Sequence, residues 1–195
     1  ITGAKIDLEL LGRMLKYGAP SGVQFFTDMS GFSVFILLIG RLGMTELAAS
    51  NVAFNINTLA FLPMVGFGIA ISVMVGQYQG EENSKQAERS VYSGAHICFV
   101  YMTLIAITYI AFPGIYLSAF SAQADAASFE PIRRLTVILL RFVAIYTVFD
   151  TLNIVFASAL KGAGDTRFVM FMIVILAVAG LMLPTYIAIT VFGAN

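Results

Sequence analysis

The sequence predicts an all-α, polytopic membrane helix bundle with about five transmembrane helices. Three observations carry this. Hydrophobic residues make up 59% of the chain and charged residues only 11%, against about 25% charged in an ordinary globular domain. The apolar residues gather into runs long enough to cross a ~30 Å hydrocarbon core, which takes about 20 residues of helix. Polar backbone groups in lipid must be satisfied internally, and a helix does this within one segment.

The segment before residue 17 mixes Lys5, Arg13 and Lys16 with Ile6, Leu8, Leu10, Leu11, Met14 and Leu15. It reads as a short amphipathic surface helix, capped by Asp7, that feeds into the membrane. The first span covers residues 17–39. Pro20 falls in its first turn, where a missing N–H costs least, and Asp28 is its charged residue. Gly40-Arg41-Leu42-Gly43 ends it. The second span, 46–75, carries Asn51, Asn55, Asn57 and Pro63, with Gly66 and Gly68 beyond. Pro63 predicts a kink, and the small residues permit close helix approach in lipid. Residues 77–89 read as a polar loop.

The third span, 90–112, stops before Pro113. His96, near its start, reads as packed or interfacial rather than as a proton relay. Residues 113–131 form a second expected loop. The fourth span, 132–160, holds Arg141, Tyr146 and Asp150; the fifth, 168–192, holds Pro184 as an expected kink site. Lys161-Gly-Ala-Gly-Asp-Thr-Arg167 joins them.

Net charge is +0, so no nucleic-acid footprint is present. Cys98 is the single cysteine. It cannot form an internal disulfide and reads as a small buried hydrophobe. The chain starts at Ile1, shows no signal peptide, and reads as a fragment of something longer. With the N-terminal end in the cytoplasm, the inside segments hold Lys5, Arg13, Lys16, Lys85, Arg89, Lys161 and Arg167. The outside segments then hold only Arg41, Arg133 and Arg134, the bias expected of a cell-membrane protein.

An acid inside a span costs ~2.5–3.5 kcal/mol on insertion scales and is a functional-site hypothesis by default. Asp150 is such an acid. Tyr146, four residues earlier, shares its helix face. Counting at 1.5 Å per residue puts Asp28 ~17 Å and Asp150 ~15 Å above the inner ends of their spans, and Asn55 ~14 Å down its own. Asn51 stands one turn above Asn55. Two acids, a phenol and two amides therefore fall in one layer near the midplane. Oxygen ligands of this kind suit a hard cation, and close carboxylates also make a proton site. Such a site within a helix bundle is how a secondary transporter couples to an ion gradient. Arg141, about two and a half turns from Asp150, is too distant to be its easy counter-ion.

These residues resemble the multidrug and toxic compound extrusion (MATE) family, cation-coupled efflux transporters. Gly18-Ala-Pro20 with Asp28 is similar to the opening of the family's C-terminal lobe. Gly40-Arg-Leu-Gly43 followed by Glu46-Leu-Ala-Ala49 resembles its first turn. Leu62-Pro-Met-Val-Gly-Phe-Gly68, then Val75-Gly-Gln77 and Gly80, resembles the end of its second helix. Tyr146-x-x-x-Asp150 and Leu160-Lys-Gly-Ala-Gly-Asp-Thr-Arg167 resemble its fourth helix and following loop.

The resemblance implies that residues 1–195 are a partial C-terminal lobe, part of a twelve-helix, two-lobe transporter. It implies efflux of an organic cation or drug in exchange for Na⁺ or H⁺, with no other cofactor. Asp28, Tyr146 and Asp150 would bind the cation. Asp28 and Asp150 would be the metal ligands if that cation is Na⁺. Asn51 and Asn55 are candidates for the substrate cavity. The implied partners are the drug, the lipid bilayer and an N-terminal lobe of the same transporter. Asp28 stands where the family often has Glu, which shortens the reach of that ligand.

Two alternatives differ in chemistry. Related flippase folds move lipid-linked sugars or oligosaccharides, but a pyrophosphate cargo calls for several bases and only Arg141 lies deep in a span. An intramembrane aspartyl protease would use Gly162-Ala-Gly-Asp165 with Asp150. Its two carboxylates must sit ~3 Å apart, yet Asp165 falls in a membrane-edge loop and Asp150 ~15 Å deeper.

Overall fold

The computed structural model describes residues 7–121 and 126–184. They form helices α1 Leu8–Gly40, α2 Met44–Gly80, α3 Ser84–Ala111, α4 Pro113–Ser121, α5 Ala126–Gly162 and α6 Thr166–Leu176, with a π-helical segment Ala177–Met182 continuing α6. Among the described residues, four stretches are long and apolar enough to cross a membrane: α1, α2, α3 and the Phe129–Gly162 part of α5. The protein is thus an all-α, multi-pass membrane bundle. The expected fifth span is represented among the described residues by a shorter apolar helix, Thr166–Gly180. Its remainder, residues 185–192, lies outside them.

Helix replaces much of the expected connecting chain. The surface helix and first span are one helix of 33 residues. Asp7 does cap it, its Oδ1 accepting from the Glu9 and Leu10 amides at 3.0 and 3.1 Å. Nothing between residues 8 and 20 breaks the helix, so Pro20 lies well inside it rather than in its first turn.

The polar stretch 77–89 is not a loop either. α2 continues to Gly80 and α3 begins at Ser84. Asn83 enforces that restart: its side chain accepts from the Gln86 amide at 3.2 Å. The Glu, Lys, Gln and Ala residues that follow are good helix formers. Within the second expected loop, α4 follows directly on the Pro113 break, and α5 starts at Ala126.

The described chain divides into two compact units. One comprises the described parts of Ile1–Leu38 and Gly164–Asn195, the other Ile39–Ala163. In the first, α1 back-bonds its own polar side chains: Thr27 Oγ1 donates to the Val23 carbonyl at 2.9 Å and Ser33 Oγ to that of Met29 at 2.8 Å. Hydroxyls satisfied in this way do not oppose an apolar setting. Asp165 caps α6, accepting from the Phe168 amide at 3.2 Å. Gly164 before it adopts φ +89°, a conformation side-chain-bearing residues rarely take. The π-helical segment comes just ahead of Pro184, which has no N–H for the regular ladder.

The second unit is a bundle of α2, α3 and α5 with α4 across one end. Two apolar clusters fill it. Ala53, Ile56, Ala60, Ala106, Tyr109, Leu117, Phe129, Leu140, Val143 and Ala144 form one. Met64, Ile71, Val75, Cys98, Met102 and Val155 form the other. Cys98 is fully buried there, as a small hydrophobe.

α3 runs antiparallel to α2. The Tyr109 hydroxyl donates to the Ile56 carbonyl at 3.3 Å, and that of Tyr101 to the Ala60 carbonyl at 3.1 Å. α5 runs parallel to α2. Thr136 Oγ1, which donates to the Ile132 carbonyl at 2.8 Å, lies 3.4 Å from the Ala49 carbonyl oxygen, Asn57 meets Tyr146, Gly68 faces Ser158 and Ser72 faces Gly162, both helices advancing together.

Small residues make the last of these contacts close. A methyl group placed on Gly162 would meet Ser72 Cα at 3.0 Å, and one on Gly76 would meet the Gly162 carbonyl oxygen at 3.3 Å. Gly68, Ser72 and Gly76 are spaced one turn apart, so they line one face of α2. Such small-residue faces let backbones approach where lipid supplies no hydrophobic drive between helices.

Candidate functional site

Asp150 and Tyr146 lie on α5, one turn apart, as the sequence spacing requires. Asp150 is half-buried, and it is not a lone charge. Tyr146 is 41% exposed, yet its hydroxyl is engaged: Asn57 Nδ2 on α2 donates to it at 3.1 Å. Neighbouring Thr147 and Thr151 are buried and return their hydroxyls to α5 itself. Thr151 Oγ1 donates to the Thr147 carbonyl at 2.7 Å and Thr147 Oγ1 to that of Ala144 at 3.1 Å. The polar groups on this part of α5 are thus divided. The threonines close on their own helix, while Tyr146 reaches across to α2.

Asn57 is the residue that sequence spacing left unassigned. It is only 8% exposed. Its amide nitrogen is satisfied by Tyr146, whereas its amide oxygen Oδ1 is buried with no hydrogen-bond partner. Leaving such an acceptor unpaired costs about 1–3 kcal/mol. The signal was present in the sequence. Ala53, Asn57, Ala60 and Met64 succeed one another at spacings of four, three and four, and the other three residues are buried core. A polar residue on that stripe had to face a neighbour.

Asn51 and Asn55 lie on a different face. Asn57 follows Asn55 by two residues, or about 200° around the helix. Both Asn51 and Asn55 are exposed, and Asn55 Nδ2 donates to the Asn51 carbonyl at 2.8 Å. Asn55 therefore has its amide nitrogen occupied locally.

Asp28 is exposed on α1 and accepts from Gln24 Nε2, one turn earlier, at 3.5 Å. It belongs to the first unit, whereas Tyr146, Asp150, Asn51, Asn55 and Asn57 belong to the second. His96 is exposed on α3, with its Nδ1 2.7 Å from the Tyr92 carbonyl oxygen. It lines a shallow hollow of about 500 Å³ with Lys85, Glu88, Arg89, Tyr92 and Ser93.

Among the described residues, no group of three or more His, Cys, Asp or Glu side chains gathers to hold a metal. Asp165, the residue an aspartyl-protease reading needs, caps α6, a structural task.

The MatE family model matches residues 20–187. A probable multidrug resistance protein NorM of Xanthomonas campestris pv. campestris is 32% identical over 166 residues, covering 83% of this chain and 34% of that protein. The multidrug resistance protein NorM of Photobacterium profundum is 30% identical over 155 residues, covering 80% of this chain and 33% of its own length. The multidrug resistance protein MdtK of Proteus mirabilis is 26% identical over 165 residues, covering 85% and 35%. The chain thus spans about a third of the length of the curated relatives it matches. With the family model covering most of its residues, the chain belongs to the MatE family of membrane transporters and is not an enzyme.

Proposed function

We infer that this chain is part of the C-terminal lobe of a secondary active multidrug efflux transporter. It exchanges an organic cation or drug against Na⁺ or H⁺. The observation that carries the reading is the family match over residues 20–187. The multidrug resistance proteins among its relatives support the reading of the substrate class. The remaining helices, including an N-terminal lobe that shares the drug path, belong to the rest of the transporter. The protein sits in the cell's inner membrane with the N-terminal end of this chain in the cytoplasm, a placement supported by the lysine and arginine bias.

The coupling ion binds Asp28, Tyr146 and Asp150. Support for that trio comes from the family resemblance and from the equal depth of the two acids counted along the sequence. Asn51 and Asn55, exposed on α2, line the substrate cavity. Neutralising the acids favours a second conformation, with α1 and α2 bending at Pro20 and Pro63, where regular helical hydrogen bonds are missing. The two conformations differ in drug affinity. Without that difference, ion binding would move nothing.

The test is efflux of a cationic dye from vesicles bearing the complete transporter, with Na⁺ and proton gradients imposed separately. Asp28→Asn and Asp150→Asn should each remove gradient-driven efflux at unchanged expression. Wild-type efflux in either variant would overturn the assignment.

A further inference from the structure

Asn57 is turned to one partner and leaves the other half of its amide unused. Its Nδ2 donates to the Tyr146 hydroxyl at 3.1 Å. A phenol that accepts from an amide N–H still has its own proton to donate. One turn further along α5 stands Asp150. The Asn57 amide oxygen is buried without a hydrogen-bond partner, on a side chain that is more than nine-tenths enclosed. Two adjacent helices thus set the Asn57 amide against the Tyr146 phenol, with Asp150 one turn along α5.

These oxygens do not suit the two candidate ions equally. A proton needs one basic oxygen and has no use for an unpaired amide carbonyl. A hard monovalent cation needs several oxygens, and neutral ones avoid the cost of burying further charge. We propose that Asn57 is a ligand of the coupling ion, its amide oxygen joining the Tyr146 oxygen and the Asp150 carboxylate in a site for an alkali cation of the Na⁺ class. The proposal rests on the transporter reading above and adds to it one residue and a choice of ion.

The experiment uses the complete transporter purified in detergent at pH 8, with Na⁺ replacing choline at constant ionic strength. Thermal unfolding followed against Na⁺ concentration gives the half-saturating concentration, since a ligand of the folded state raises its stability. Wild type should be stabilised by Na⁺. Asn57→Leu, which removes the oxygen at similar volume, should raise the half-saturating concentration about tenfold, the scale of one lost polar ligand. Asn57→Asp keeps an oxygen but has no amide to donate to Tyr146, and should hold the value within about threefold.

A structural role for Asn57, as a donor to Tyr146 alone, makes the two variants weaken alike. That result overturns the proposal, as does Na⁺ having no effect on wild type, or no shift in Asn57→Leu. If the leucine variant does not purify, a tenfold rise in Asn57→Asp overturns it on its own. Dye efflux driven by a proton gradient, with Na⁺ inert in the unfolding assay, sinks this proposal and leaves the transporter reading standing. Na⁺ binding weakened only in Asn57→Leu, with no efflux under either gradient, supports the ligand and sinks the transport reading.

Discussion

Gly162→Ala should destabilise the protein although it adds only one methyl group. The new Cβ would lie 3.0 Å from both the Ser72 Cα and its carbonyl carbon, whereas ordinary contacts begin near 3.4 Å. These are backbone atoms of α2, so no rotamer change relieves the clash, and the two helices must part. A gap of about 0.5–1 Å forfeits a quarter to a half of each dispersion contact's well depth. The loss is shared by the packing of Gly68, Ser72 and Gly76 against Ile154, Ser158 and Gly162. Overpacking of this kind costs about 1–3 kcal/mol.

Gly66→Ala is the matched control. It also lies in a helix, but a methyl group there meets nothing within 4 Å. Replacing glycine inside a helix then stabilises by about 0.5–1 kcal/mol. The two variants should therefore move in opposite directions when the complete transporter is unfolded by heat or denaturing detergent. Gly162→Ala as stable as Gly66→Ala would refute the close-approach argument.

Asp165→Ala should cost about 0.5–2 kcal/mol through loss of the α6 cap, while Asp165→Asn stays near wild type and dye efflux persists in both. Efflux lost in Asp165→Asn at wild-type stability would show that the carboxylate does more than cap. Tyr109→Phe should destabilise by about 0.5–1.5 kcal/mol, measured in the same unfolding assay, because its fully buried hydroxyl gives up the bond to the Ile56 carbonyl. No loss in Tyr109→Phe would mean that this long, 3.3 Å bond carries nothing.

The spans were the most legible part of the sequence, because an apolar run of 20 residues has few physical readings. Their ends were less legible. Residues 77–89 and 8–16 are polar or mixed, and polarity alone suggests loop. Yet both are rich in helix formers: residues 8–16 open α1 after the Asp7 cap, 77–80 finish α2, and 84–89 open α3 after the Asn83 cap. Once nucleated, a helix extends cheaply until a breaker stops it. The breakers that did stop it, Gly40-Arg-Leu-Gly43 and Pro113, were correctly read.

Tyr146 and Asp150 were found because an i, i+4 pair on one helix needs no tertiary knowledge. Asn57 was passed over in favour of Asn51 and Asn55 for the same reason: those two make a visible i, i+4 pair. Asn57 shows its meaning only against the apolar stripe of Ala53, Ala60 and Met64. Arg141, exposed on α5, was set aside on spacing alone.

The parallel pairing of α2 with α5 also has a mechanical side. The helices are held backbone to backbone near Ser72 and Gly162, and by side chains alone at Asn57 and Tyr146. From residue 72 to residue 57 is about 22 Å of helix. The tight contact is a fulcrum, and the polar contact lies out along the arm, short of the Thr136–Ala49 contact. On that arm, a swing of only about 8° carries the polar contact about 3 Å, roughly the length of the Asn57–Tyr146 hydrogen bond. The same swing shifts Gly68, about 6 Å from the fulcrum, by only about 0.8 Å, so the polar contact opens well before the glycine seam does.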